Sequence, residues 1–357
     1  MHRDAAADLG SIASMVASIL DETGHPGAAI ALIIDGEPAM VEGVGHGDLE
    51  RTDVMQPDGR FPLYSITKTF LAGAIIRLVE DGRLELDASI NAILQNDRVN
   101  PSITIRQLLN HTSGLPDYST LPGYGEDLRL EPGQPWTDDE FLDRTLRQGY
   151  LFPSGEGWSY SNIGYMLLRQ AIERVTGASL SRALAELVFE PMGLGTTSVV
   201  RSLPDTHGLE PGFSTQFETD GEVHDVRGRY DPGWVSHGLV RSTALDTARM
   251  LDGLVGGRLL RRESVGTMLG VVPVPATHPQ IRKPGYGLGL MIDRDSPYGS
   301  VAGHAGGGPG YSTAVFHFSN VESRAITIAA LTNRDTSEVA TKIVFAIADL
   351  LADLERS

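Results

Sequence analysis

The chain has 357 residues, 41% of them apolar, enough to bury a large core as one sizeable domain or two intimate lobes. Its net charge of −17 argues against nucleic acid or an anionic membrane as a partner, and no run approaches the roughly 20 apolar residues of a membrane span. Cysteine is absent, which excludes disulfides, thiol catalysis and thiolate metal sites.

From the N-terminus, Ser11 to Leu20 has the spacing of an amphipathic helix. Arg3 is followed by Asp4 and Asp8, with no uninterrupted apolar stretch ending at a small-residue cleavage site, so a cytoplasmic protein is expected. After Gly24 and Pro26 come two strand patterns, Ala28 to Ile34 and Pro38 to Val44, split by Asp35 and Gly36 as a hairpin turn would split them. Ser65 to Val79 is apolar on nearly every face, the mark of a buried helix, with Gly82 as its stop. From Leu84 to Asp231 short helices alternate with Gly/Pro-rich loops, and helices are predicted at Ile105 to Asn110, Asp138 to Gln148, Ile163 to Thr176 and Ser179 to Val188. A helix from Ser242 to Leu254 leads back into strands at Gly285 to Ile292, Gly299 to Gly303, Tyr311 to Phe318 and Arg324 to Leu331. An amphipathic helix from Ser337 to Leu354 closes the chain. Strand-rich termini around a helical middle predict an α/β (α+β) fold in a single domain, 1–357, with a sheet lobe from 1–80 and 240–357 and a mainly helical lobe at 81–239.

Three lysines stand against 26 arginines, and one of them, Lys68, follows Ser65 by three residues at the mouth of the buried helix. Residues three apart share a helix face, so hydroxyl and ammonium would meet there. A buried ammonium is costly unless it is paired or sheds its proton, and an amine held in such a place can activate a serine hydroxyl. The alternative is an N-cap serine beside a lysine that snorkels to solvent.

Two further constellations bear on that choice. Tyr160, Ser161 and Asn162 follow a turn-rich approach and precede the helix at Ile163. Asn162 could simply cap that helix, or phenol and amide could both point into a cleft, where a neighbouring lysine would favour phenolate and make Tyr160 a general base. The run Gly303, His304, Ala305, Gly306, Gly307, Gly308, Pro309, Gly310 lies between two strand patterns. It fits neither a dinucleotide fingerprint nor a P-loop, and the ten histidines show no metal-ligand spacing. Glycines on a strand edge let a substrate lie against the backbone, or mark no more than a bulge.

In this order, Ser65 to Lys68 as SxxK, Tyr160 to Asn162 as YxN and His304 to Gly306 as HxG, the chain resembles the serine β-lactamase and penicillin-binding-protein superfamily. Its flavour is class C-like, that of DD-peptidases, D-aminopeptidases, D-amino-acid amidases and β-lactamase-like esterases. The stretches Asn110 to Leu115, Glu190 to Leu194, Gly238 to Thr243 and Tyr286 to Leu290 look like the same family, so the resemblance runs over nearly the whole chain. It implies an antiparallel sheet flanked by helices with an inserted helical lobe, and a cleft between them. It implies Ser65 as nucleophile, Lys68 and Tyr160 as shared general base, and Asn162, His304, Gly306 and Gly307 as substrate-binding residues. The amides of Ser65 and Gly307 would hold the oxyanion. The implied activity is that of a serine hydrolase acting by an acyl-enzyme on an ester or amide of a small molecule or short peptide, with no cofactor. β-Lactamase or DD-carboxypeptidase activity, acyl transfer to a small acceptor, and β-lactam binding without turnover are the alternatives. His304 and Ala305 offer neither the cation nor the hydroxyl of a KTG motif, which places esters and amides ahead of penicillins.

Overall fold

The computed structural model describes residues 5–217, 221–336 and 338–356. Its helices are α1 Ala5–Thr23, α2 Thr67–Glu80, α3 Ile90–Leu94, α4 Ile105–Leu109, α5 Pro122–Leu130, α6 Asp138–Leu146, α7 Asn162–Thr176, α8 Leu180–Leu184, α9 Glu190–Met192, α10 Ala244–Val255, α11 Arg262–Met268 and α12 Val339–Arg356. Its strands are β1 Gly27–Ile34, β2 Glu37–Gly45, β3 Phe61–Pro62, β4 Ser198–Val200, β5 Phe213–Ser214, β6 His224–Asp225, β7 Leu239–Ser242, β8 Val272–Pro273, β9 Pro284–Tyr286, β10 Met291–Asp293, β11 Val301–Gly308, β12 Tyr311–Val321 and β13 Arg324–Thr332.

Eight of these strands form one antiparallel sheet in the order β2-β1-β13-β12-β11-β10-β9-β8. The two ends of the chain meet where β1 pairs with β13, Ala28 opposite Thr332 and Ile34 opposite Ile326. The Ala/Ile alternation of β1 then sends Ala29, Ala31 and Ile33 to one face and Ala28, Ile30 and Leu32 to the other, each set entering its own core. On the second face, α1 and α12 cover the sheet through Ile12, Val16, Ile343 and Ile347. On the first face lie α2, α10 and the helices of the middle segment, and here the larger core runs without a break from the sheet to Trp136, Phe141 and Leu167.

The predicted buried helix is α2, in which every residue from Thr67 to Ile76 is buried. Two expectations are corrected. The single strand predicted at Gly285 to Ile292 is a tight hairpin, β9 and β10, closed by Gly287 N donating to Leu290 O at 2.8 Å. Gly289 turns at φ +75° because it packs on α2, where an added Cβ would lie 2.5 Å from the Ala72 methyl. The second concerns Gly299 to Gly303, which undershoots β11: the glycine-rich run is itself strand as far as Gly308. The predicted start of the last helix, Ser337, lies outside the described residues. A smaller sheet, β3-β7-β4, leads the chain into the turn that carries Ser65.

Candidate active site

The turn before α2 is held in an unusual conformation. Tyr64 has φ +44°, in the left-handed region that costs a non-glycine residue about 1–3 kcal/mol. Two contacts hold it there: its hydroxyl donates to the Pro309 carbonyl at 2.7 Å, and its ring lies on Gly308, where a Cβ would come within 2.2 Å of a ring carbon. Strand β11 also presses on the preceding residue, since a Cβ at Gly306 would be 2.3 Å from the Leu63 carbonyl oxygen. The run of glycines therefore lets the strand lie directly against the turn, and Ser65 is presented on the wall of a cavity of about 240 Å³.

Lys68 is fully buried one helical turn on, with Nζ 3.1 Å from Ser65 Oγ. It does not snorkel. Nζ donates to Asn162 Oδ1 at 2.7 Å and lies 3.3 Å from His237 Nε2. None of these partners is anionic, and burial pulls the lysine down from its ordinary value to about 7, with Asp117 pulling weakly the other way.

Tyr160 donates its hydroxyl to Ser65 Oγ at 2.9 Å, so one oxygen receives both the phenol and the amine. The expected lysine-assisted ionisation of Tyr160 is outweighed: burial holds the phenol well above its usual range, and the ammonium lies over the ring, 4.9 Å from its centroid. Tyr160 is thus a protonated donor in this geometry and Lys68 the group able to be neutral. The ring is steadied by His111, 4.3 Å away between centroids.

Asn162 is not the cap of its helix. Ser161 is, accepting from Gly164 N at 3.3 Å, and this frees the Asn162 amide for Lys68. The amide is oriented by Asp117, whose carboxylate accepts from Nδ2 at 3.0 Å and 3.2 Å and from the backbone N–H at 3.3 Å. With Nδ2 committed to Asp117, only Oδ1 can face the lysine. Sequence reasoning missed Asp117 and His237. The available signal was position alone, two residues beyond the Asn110 to Leu115 stretch and one residue before the stretch that starts at Gly238.

The third motif divides. Gly307 lines the cavity beside Ser65, and a Cβ there would touch nothing within 4 Å. Gly306 instead faces the Leu63 backbone. The His304 ring is 2% exposed and fully engaged, Nδ1 2.6 Å from the Ala305 carbonyl oxygen and Nε2 2.8 Å from the Tyr286 hydroxyl. The carbonyl can only accept, so Nδ1 carries the proton and Nε2 receives the phenol. Burial lowers this histidine to about 3, and its ring lies off the cavity wall, 6.5 Å from the Tyr160 ring between centroids. Ser65, Lys68, Tyr160 and Asn162 thus come together, Gly307 faces them, and Gly306 and His304 stand behind.

The remaining cavity wall is rich in aromatic side chains, with Tyr64, Tyr118, Tyr124, Leu128, Tyr230 and Trp234 on it, and Ser119 and Gln216 add polar groups. Among the described residues no three His, Asp or Glu side chains converge as a metal ion would need, and no helix is long and apolar enough to cross a membrane.

A family model described as Beta-lactamase matches residues 12–352, from α1 to α12. The chain belongs to that family. Penicillin-binding protein 4* of Bacillus subtilis (strain 168) is 27% identical over 303 residues, 82% of this chain and 64% of that protein. Esterase EstB of Burkholderia gladioli is 32% identical over 238 residues, 62% of this chain and 58% of that protein. The aligned part is thus less than two thirds of either relative's length. A D-stereospecific amidohydrolase from Streptomyces sp. has the same fold, with a TM-score of 0.78 at 26% identity, over 94% of this chain and 98% of its own. The mixed fold of antiparallel sheet and helices is thus shared with a solved amidohydrolase at 26% identity.

Proposed function

We propose that this protein is a serine hydrolase that cleaves esters or amides through an acyl-enzyme on Ser65. The observation that carries the reading is the convergence on Ser65 Oγ of a buried amine at 3.1 Å and a phenol at 2.9 Å. Lys68, neutral in a large fraction of molecules near neutral pH, takes the serine proton as Oγ attacks the acyl carbon. Tyr160, bonded to the same oxygen, gives its proton to the leaving atom as the C–O or C–N bond breaks. Lys68 then returns its proton to the phenolate, and water releases the acyl group by the reverse sequence. The N–H groups of Ser65, in the first turn of a helix where amides lack intrahelical partners, and of Gly307 are the proposed oxyanion donors.

The aromatic side chains on the cavity wall support an uncharged acyl group with an apolar or aromatic side chain. Among the described residues no arginine or lysine lines it, and Arg241, an alternative carboxylate clamp, is committed to Ser198 Oγ at 2.9 Å and the Asp205 carbonyl at 3.0 Å. A volume near 240 Å³ accommodates a benzyl or isobutyl side chain. The names of the relatives, an esterase and a D-stereospecific amidohydrolase, fit within this class.

The test is a panel of p-nitrophenyl esters, D- and L-phenylalanine p-nitroanilides and nitrocefin, run beside fluorophosphonate labelling. Ser65→Ala should abolish labelling and turnover with the fold intact by circular dichroism. Labelling that persists in Ser65→Ala would overturn the nucleophile, and nitrocefin turnover as fast as that of the esters would overturn the substrate ranking.

A further inference from the structure

His237 completes the set of partners around Lys68, and none of the three motifs accounts for it. It precedes β7, is 2% exposed, and brings Nε2 to 3.3 Å from Lys68 Nζ. Nδ1 closes no hydrogen bond, and the Tyr64 backbone lies beside the residue. Nε2 faces the lysine amine, a donor, so the tautomer that bonds to it carries its proton on Nδ1 and leaves Nε2 as an acceptor. A neutral lysine has two N–H bonds and one lone pair. Asn162 Oδ1 takes the first N–H at 2.7 Å and His237 Nε2 the second, which leaves the lone pair for the remaining direction, toward Ser65 Oγ.

We infer that His237 is a positioning residue for Lys68: an acceptor that, with Asn162, turns the amine lone pair onto the serine hydroxyl. The inference rests on the reading of Ser65 as nucleophile and Lys68 as base. The other titratable groups facing Lys68 are Asp117, His111, His304, Tyr160 and Tyr165, and those facing His237 include Arg169. Burial keeps the three histidines neutral and Tyr160 and Tyr165 protonated near neutral pH, while Arg169 is held by Asp138 and Glu173. The inflection of activity in that range therefore belongs to Lys68.

Three variants separate the acceptor from mere filling of space. His237→Gln keeps an acceptor, whereas His237→Leu and His237→Met remove it at similar volume. The readout is the rate of fluorophosphonate labelling of Ser65 as a function of pH. Leu and Met variants should label at least ~10-fold more slowly at the alkaline plateau, because the lone pair is no longer aimed. Their inflection should move down by about one pH unit, because the ammonium loses one of its three acceptors. The Gln variant should hold the native inflection and label within about threefold of the native rate. An unchanged plateau and inflection in Leu or Met, an inflection displaced upward, or a displaced inflection in Gln overturns the inference. Labelling that survives Ser65→Ala would instead remove the nucleophile on which it rests.

Discussion

At Lys68 the fold keeps a titratable amine wholly out of water with three neutral partners, and the consequence reaches beyond the proposed chemistry to stability. The folded value of about 7 lies below the ordinary 10.5, so between these two values the unfolded chain binds more protons than the folded one. Stability contributed through this residue therefore rises with pH across that window, and its cost is fully present below about pH 7. Lys68→Met, similar in length and uncharged, should melt higher than the native protein at slightly acid pH, and the advantage should shrink steadily towards pH 10. Thermal melts of the pair across that range check this; a constant or growing advantage at high pH would contradict a depressed lysine. If Lys68 is the proposed base, the same variant should lose about 10²-fold or more in kcat, the usual scale for removing a general base. The residue was legible in the sequence because one lysine among so few stood at the mouth of an apolar helix. Its partners were not. Asp117 and His237 lie 49 and 169 positions from Lys68, as the fold's crossings dictate, and nothing local distinguishes them from surface residues.

At the scale of elements, the contact between β11 and the turn before α2 decides the geometry of the site. Three consecutive glycines look alike in the sequence, yet each meets a different neighbour: Gly306 the Leu63 backbone, Gly307 the open cavity, Gly308 the Tyr64 ring. Gly306→Ala must push strand and turn apart, and should cost about 1–3 kcal/mol, seen as a Tm lower by several degrees. Gly307→Ala should leave Tm nearly unchanged while lowering kcat/KM, since its methyl enters the cavity beside Ser65. Calorimetry and ester kinetics on the two variants make the comparison, and equal Tm losses would argue against the strand pressing on the turn at Gly306 alone. The hairpin of β9 and β10 shows why such detail escaped the sequence. Its alternation reads as one strand, and only the seat of Gly289 on Ala72 breaks it.

Across the whole molecule, the larger core contains Ala29 and Leu331 from the sheet together with Phe141, Leu167 and Trp234 from the middle segment. These side chains belong to one continuous cluster, and Lys68 with Asn162 bridges the two parts at the site itself. We propose that sheet lobe and helical lobe unfold together as one cooperative unit. Far-ultraviolet dichroism and tryptophan fluorescence should then give coincident thermal transitions, because Trp136, Trp158 and Trp234 all lie in the middle segment. A fluorescence transition well below the dichroism one would mean that the helical part melts alone.

By itself the sequence determined the buried helix, the paired strands at the two ends, the helical middle and the three motifs in order, since each is written in local periodicity or in residues a few positions apart. It also carried the resemblance that the Beta-lactamase match from 12 to 352 bears out. The tertiary structure alone decided which nitrogen and oxygen atoms meet. Burial, set by the packing of distant segments, keeps Tyr160 protonated and lowers Lys68, which favours Lys68 within the pair that the sequence left as a shared base. It also engaged His304 with Tyr286, released Asn162 from capping through Ser161, and supplied Asp117 and His237. Periodicity records which face of an element is apolar; proton affinity depends on everything packed around a group, and that is fixed only when the chain has closed on itself.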